Sequence, residues 1–262
     1  MRKKSKHLLS GDISNLLKEI IEPENVDTNS IKINDELSPN IWDNDDKMNS
    51  EVRKKLLKNA KAFIEFSGLE NLKFKDITLT GSLANYNYNE NSDLDVHVVL
   101  DYNQISENPE FVEDYFSLKK SLWNDKLSIK VMDHDVELYY QNAGKKHYSS
   151  GIYSLLNDKW LIKPTKKIIN IDTENLKIKT SDFMNSIDDL ETNNNDTNFL
   201  ERYQNIKDKI KKYRQSGLSK NGEYSIENLV FKVLRNTGYL EKMVELKNNF
   251  LTKELSLEEF YR

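Results

Sequence analysis

The chain has 262 residues with 39 Lys and Arg against 43 Asp and Glu, a net charge of −4 and no cysteine. Without thiols there is no disulfide frame, thiolate metal site or cysteine nucleophile, which suits a reducing, cytoplasmic setting. Net negative charge speaks against indiscriminate coating of nucleic acid, although a local basic groove stays open; no apolar run reaches the ~20 residues that span a bilayer, so no membrane partner is expected.

Residues 1–48 read as an N-terminal helix and linker. The first residues are basic, but Leu8-Leu9 is too short for a signal-peptide core. Ile13, Leu16, Leu17, Ile20 and Ile21 recur on one helical face, and 22–40 is a polar linker punctuated by Pro23 and Pro39. Ile41-Trp42 is an isolated apolar pair suited to anchoring it.

The second region, 49–165, opens with a helix from Ser50, whose Val52, Leu56, Leu57, Ala60, Phe63 and Ile64 form one stripe that Gly68 ends. A strand over Phe74–Thr80 runs into Gly81-Ser82. Glycine there permits close backbone approach, or merely a tight turn; the serine offers a hydroxyl to phosphate, or an N-cap. After an asparagine-rich passage come Ser92 and Asp93-Leu94-Asp95-Val96. In a strand the two aspartates share a face, roughly 7 Å apart along the chain, while Leu94, Val96 and Val98 enter a core. Such a carboxylate pair suits Mg²⁺, which takes a few acids plus substrate phosphates. His97, on the same face, reads as a supporting or surface residue rather than a ligand.

Beyond Pro109 a helix over Phe111–Trp123 points Val112, Tyr115, Phe116 and Leu122 inward. A strand over 127–131, a turn at Asp133-His134 and a strand over Val136–Gln141 follow, the last carrying Glu137, with Asp135 on its face. His134, Lys145, Lys146 and His147 read as solvated, the two lysines with an alternative role at phosphates. Short strands over 149–156 and 159–164 flank the turn Asn157-Asp158. Their Tyr153 and Trp160 are core residues or, alternatively, a platform for a nucleobase.

Residues 166–262 turn helical. Thr173 caps a helix with Leu176, Ile178, Phe183, Ile187 and Leu190 inward; 193–196 is a loop; Leu200, Tyr203, Ile206, Ile210 and Tyr213 mark the next helix. Its other face carries Lys207, Lys211 and Arg214, a stripe either solvated or set against nucleotide or RNA phosphates. A glycine-bracketed loop over 217–225 leads to two more helices, separated by Asn236-Thr-Gly238. Arg214, Lys220, Glu223, Asn228, Lys232 and Arg235 are polar groups available to a cleft.

Gly81-Ser82 followed by Asp93-Leu94-Asp95 resembles the signature of the DNA polymerase β-type nucleotidyltransferase superfamily. The helical end is similar to that of nucleotidyltransferase-like proteins of phages and bacteria. The resemblance implies an α+β fold: a nucleotidyltransferase-type mixed β-sheet flanked by helices, followed by a C-terminal helical domain. It implies Asp93, Asp95 and Glu137 as the catalytic, metal-binding carboxylates, holding two Mg²⁺ or Mn²⁺ ions. The third acid is more often Asp in the superfamily, so Glu137 reaches one methylene further. Gly81, Ser82 and Ser92 would bind the nucleotide, with Lys211, Arg214 and Tyr153 as further candidates. The implied reaction moves an NMP from an NTP, with ATP favoured, to an acceptor hydroxyl, releasing pyrophosphate. An RNA 3′ end, a small molecule and a protein side chain all remain open as acceptors, as does a non-catalytic nucleotide- or RNA-binding relic. No G-x-x-x-x-G-K-[ST] or G-x-S-x-G occurs to support a P-loop kinase or serine hydrolase.

Overall fold

A computed structural model describes residues 20–145, 149–166, 170–193 and 197–256. They form two compact units: a sheet unit of 29–170 with 218–225, and a helical unit of 20–28, 171–217 and 226–256. The expected helix over Ile13–Ile21 lies mostly outside the described residues, as do Lys146, His147 and most of the 193–196 loop. Among the described residues no helix is long and apolar enough to cross a membrane.

The sheet unit is built on six strands, β1 Phe74–Thr80, β2 Leu94–Leu100, β3 Lys130–Val131, β4 His134–Asn142, β5 Ile152–Ser154 and β6 Lys159–Ile162, in the spatial order β3-β4-β2-β1-β5-β6. It is mixed: β2 runs antiparallel to β1 and parallel to β4. A parallel neighbour needs a long crossover, supplied by α2, Pro109–Lys126. Asn108 caps α2 by accepting from the N–H groups of Glu110 and Phe111, and Pro109 takes a first-turn position where no N–H is needed. The helix α1, Ser50–Ser67, is capped by Asn49 and closed by Gly68 in the left-handed region, at φ 70°.

Burial follows the strand period. In β2, Leu94, Val96, Val98 and Leu100 are fully buried while Asp95, His97 and Val99 are not. Phe63 of α1 stacks on Tyr140 of β4 at 4.6 Å, and Phe116 of α2 stacks on the same ring at 4.1 Å. Ile41-Trp42 anchors as expected: Trp42 is buried, its indole N–H donates to the Leu83 carbonyl at 2.8 Å, and its ring stacks on Trp160 at 4.4 Å.

Several expectations are corrected. Leu122 of α2 is 47% exposed, and Trp123 is buried instead. His134 is buried, not solvated; Met132 and Asp133 make the turn at positive φ, and the His134 ring Nδ1 lies 2.7 Å from the Ser92 carbonyl oxygen. Lys145, by contrast, is exposed as expected and pairs with Glu113 at 2.7 Å.

The helical unit contains α3 Thr173–Thr192, α4 Phe199–Lys220, which continues past Gly217 into the expected loop, α5 Ile226–Asn236 and α6 Tyr239–Leu255. Asp172, not Thr173, caps α3, accepting from the Asn175 N–H at 3.0 Å. Ile178 and Leu200 face solvent, while Met184 and Phe199 are buried. Leu176, Phe183 and Ile187 of α3 and Leu229, Val233 and Leu234 of α5 are buried, and these two helices pack against each other.

Burial raises the phenol pKa of Tyr102, Tyr139, Tyr140, Tyr153 and Tyr224 above the ordinary 10.0, that of Tyr153 to about 12. A phenol that ionises more easily unfolded than folded leaves stability intact below the unfolded pKa and removes it above. The urea midpoint should therefore fall as pH passes about 10, with tyrosinate absorbance rising together with loss of the far-ultraviolet dichroism. Full ionisation of all tyrosines in a chain that stays folded would contradict this.

Candidate active site on the sheet

Asp95 stands near the start of β2 and pairs across the antiparallel ladder with Thr80, the last residue of β1. Across the parallel ladder it pairs with Glu137 of β4, and His97 pairs with Tyr139. Residues paired in register share a face, so Glu137 lies on the face of Asp95. Asp93, one residue before β2, and both of these acids are part-exposed, whereas Leu94, Val136 and Leu138 are buried on the opposite side.

The turn after β1 explains Gly81. Its φ of 78° and ψ of −160° define a backbone that side chains avoid. A Cβ there would lie 1.9 Å from the Asp95 Oδ2. The Asp95 carboxylate is therefore packed against bare backbone. A 3-10 turn over Ser82–Ala84 follows. Ser82 is part-exposed and its hydroxyl donates to the Ser92 Oγ at 2.9 Å; the same Ser92 oxygen accepts from the Asn89 N–H at 2.9 Å. Ser92 is buried, and its oxygen fastens the two ends of the 82–92 loop.

Glu137 has partners that sequence reasoning did not supply. The Tyr139 hydroxyl donates to its Oε2, and the Lys120 ammonium of α2 stands 3.8 Å from that oxygen and 3.9 Å over the Tyr139 ring. His97 stacks on the same Tyr139 ring at 4.9 Å between centroids and 12° between planes. Burial and then the charges of Asp95 and Glu137 hold the Tyr139 phenol far above its usual value, with Asp93 adding to the effect. Tyr139 thus stays a neutral donor, and all three carboxylates act on one hydroxyl. Its place two residues after Glu137 was a usable signal; nothing local marked Lys120. Asp135 pairs instead with Lys130, at 3.6 Å.

Among the described residues no group of three or more Asp, Glu, His or Cys side chains is gathered as a metal cage. The donors nevertheless suit a hard divalent ion: they are carboxylate oxygens, part-exposed on one sheet face, with Gly81 keeping one side of Asp95 clear of any side chain. The contacts from Tyr139 and Lys120 both fall on the Glu137 Oε2, and its second carboxylate oxygen takes neither of them.

The remaining candidates fall elsewhere. Tyr153 is 1% exposed, enclosed edge-on by Trp42 and Trp160 and bonded to Asp158 at 2.8 Å, so it has no open ring face for a base. Lys211 and Arg214 stand on α4 in the helical unit. Lys211 is exposed, while the Arg214 Nε donates to Asn228 at 3.1 Å and its guanidinium covers the Phe231 ring at 3.9 Å. Compared with protein families, curated proteins and solved structures, the chain gives no match.

Gly81→Ala tests the close approach. It forces a left-handed alanine, which costs about 1–3 kcal/mol, and drives the Asp95 carboxylate from its seat. A clear drop in the denaturation midpoint is expected; an unchanged midpoint would mean the turn has room that the geometry denies.

Proposed function

We propose that the chain is a divalent-ion-dependent nucleotidyltransferase of the DNA polymerase β type, transferring an NMP from an NTP to an acceptor hydroxyl. What carries the reading is the in-register pair of Asp95 and Glu137 on parallel strands, beside the bare Gly81 backbone on which the Asp95 carboxylate rests. Support comes too from Asp93 preceding Asp95 at strand parity, and from a part-exposed Ser82 next to Gly81.

In this mechanism Asp93, Asp95 and Glu137 would hold the ions through their carboxylate oxygens. The ions, when bound, supply the positive charge that lowers the pKa of the acceptor hydroxyl and balances the triphosphate. The protein otherwise positions: Gly81 and Ser82 are assigned to the β- and γ-phosphates. Tyr139 and Lys120 hold the Glu137 carboxylate in place through its Oε2. A new bond forms between the acceptor oxygen and the α-phosphorus as the bond to the β-phosphate oxygen breaks. The acceptor hydroxyl gives up its proton to water, and pyrophosphate leaves with the electron pair of the broken bond. No covalent enzyme intermediate is needed, because orientation and electrostatic complementarity provide the rate. The exposed lysines of α4, Lys207 and Lys211, favour an RNA acceptor, whereas the net charge of −4 favours a small molecule or protein.

Incubation with each labelled NTP, Mg²⁺ or Mn²⁺, and RNA, protein and metabolite fractions separates the acceptors by where label arrives. Asp93→Asn and Asp95→Asn should each lower pyrophosphate release by at least about 10²-fold, the scale of a lost preorganised electrostatic contact, with an unchanged circular dichroism spectrum. Turnover retained in both variants would remove the assignment.

A further inference from the structure

The 82–92 loop is held from behind by a residue far away in sequence. Glu223, in the 3-10 turn Gly222–Tyr224, belongs to the segment 218–225 that packs within the sheet unit. Its Oε1 accepts from the Asn85 amide at 2.7 Å and from the Ser150 hydroxyl, and its Oε2 accepts from the Asn87 amide at 3.0 Å. The Asn85 amide also donates to the Ser150 Oγ at 2.5 Å, and its carbonyl oxygen accepts from the Tyr86 N–H at 2.8 Å and the Tyr224 hydroxyl at 3.2 Å. Asn85 is fully buried, with both donors and its acceptor used.

This arrangement sets the orientation of the turn that carries Ser82. Asn85 closes it, its N–H donating to the Ser82 carbonyl at 3.0 Å. The next carbonyl, of Leu83, is taken by the Trp42 indole, and that of Ala84 lies where a Cβ on Gly151 would meet it at 1.9 Å. Leu83 and Ala84 are completely buried, so apolar packing already holds the turn to the core. Non-directional packing leaves rotation about the chain cheap, whereas a carboxylate with three fixed donors does not.

We propose that Glu223 is a positioning residue of the nucleotide site: through Asn85, Asn87 and Ser150 it fixes the 82–87 turn in the orientation that receives the triphosphate. The proposal rests on the nucleotidyltransferase reading for its ligand. Glu223→Gln, in the full chain, keeps the size but sets an amide NH₂ against donors of Asn85, Asn87 or Ser150. Its KM for the NTP should rise about tenfold, the consequence of losing hydrogen bonds to a charged group, with kcat within about twofold because no reacting group is touched. Amide hydrogen exchange over 82–87 should quicken while α1 keeps its protection. Ser150→Ala, which removes one donor at little cost in volume, should show the same pattern more weakly and covers the case that Glu223→Gln misfolds. Unchanged exchange over 82–87 in both variants overturns the proposal, as does a fall in kcat at constant KM. A wild-type chain that releases no pyrophosphate from any NTP sinks the nucleotidyltransferase reading instead, and the exchange rates then decide by themselves whether Glu223 holds the turn.

Discussion

Two carboxylates set side by side on neighbouring strands repel, and the register between β2 and β4 imposes that pairing on Asp95 and Glu137. Like charges directly opposite cost up to about 1 kcal/mol. A slip of one residue in β4 would relieve them but would turn Val136 and Leu138 from the core to the open face. Those side chains are 6% and 0% exposed, and each buried aliphatic contributes about 1.5–3 kcal/mol. Apolar burial wins that comparison, so the core forces the acids together. The chemistry of the face is in this sense a consequence of the packing behind it.

How far the sequence disclosed this depends on the range over which each signal acts. Strand alternation is local, so the common face of Asp93 and Asp95 and the burial of Leu94, Val96 and Val98 could be read directly. The left-handed Gly68 that ends α1 and the unusual backbone at Gly81 were legible because only glycine accepts such conformations cheaply. Ile41-Trp42 was legible because an isolated apolar pair in a polar stretch has to find a core. Local patterns fail where a distant partner decides. His134 looked like an exposed turn residue, yet the Ser92 carbonyl, 42 residues away, makes its burial tolerable. Tyr153 and Trp160 occupy similar patterns and meet edge-on, with Trp42 packed against both; burial of the first and part-exposure of the second could not be read from either pattern.

The most thoroughly hidden element is the segment 218–225. The segment reads as a glycine-bracketed loop with Lys220 and Glu223 available to a cleft, without naming their partners, and α4 runs on to Lys220 before the chain turns. Its contribution to the sheet unit is polar: one carboxylate and one phenol meeting Asn85 over sequence separations of 138 and 139 residues. Asparagine and glutamate in a loop are compatible with solvent or with each other, and no periodicity separates the cases. A buried amide with every group satisfied is a strong constraint once formed, and it becomes visible only after the chain has folded.

The same distinction between strong and weak constraints bears on Glu137. Tyr139, kept neutral by burial and by the acids around it, contributes a hydrogen bond but no compensating charge. The cation nearest to Glu137 among its ion pairs is Lys120, at 3.8 Å with both side chains 36% exposed, a geometry in which a pair adds at most about 1 kcal/mol. A divalent ion meeting several carboxylates offers far more than that partner does. If the nucleotidyltransferase reading holds, Lys120 and Tyr139 therefore act as light restraints on one oxygen of Glu137, sufficient to keep a crowded acidic face from pushing its own side chains apart while leaving the charge of the site to the ion.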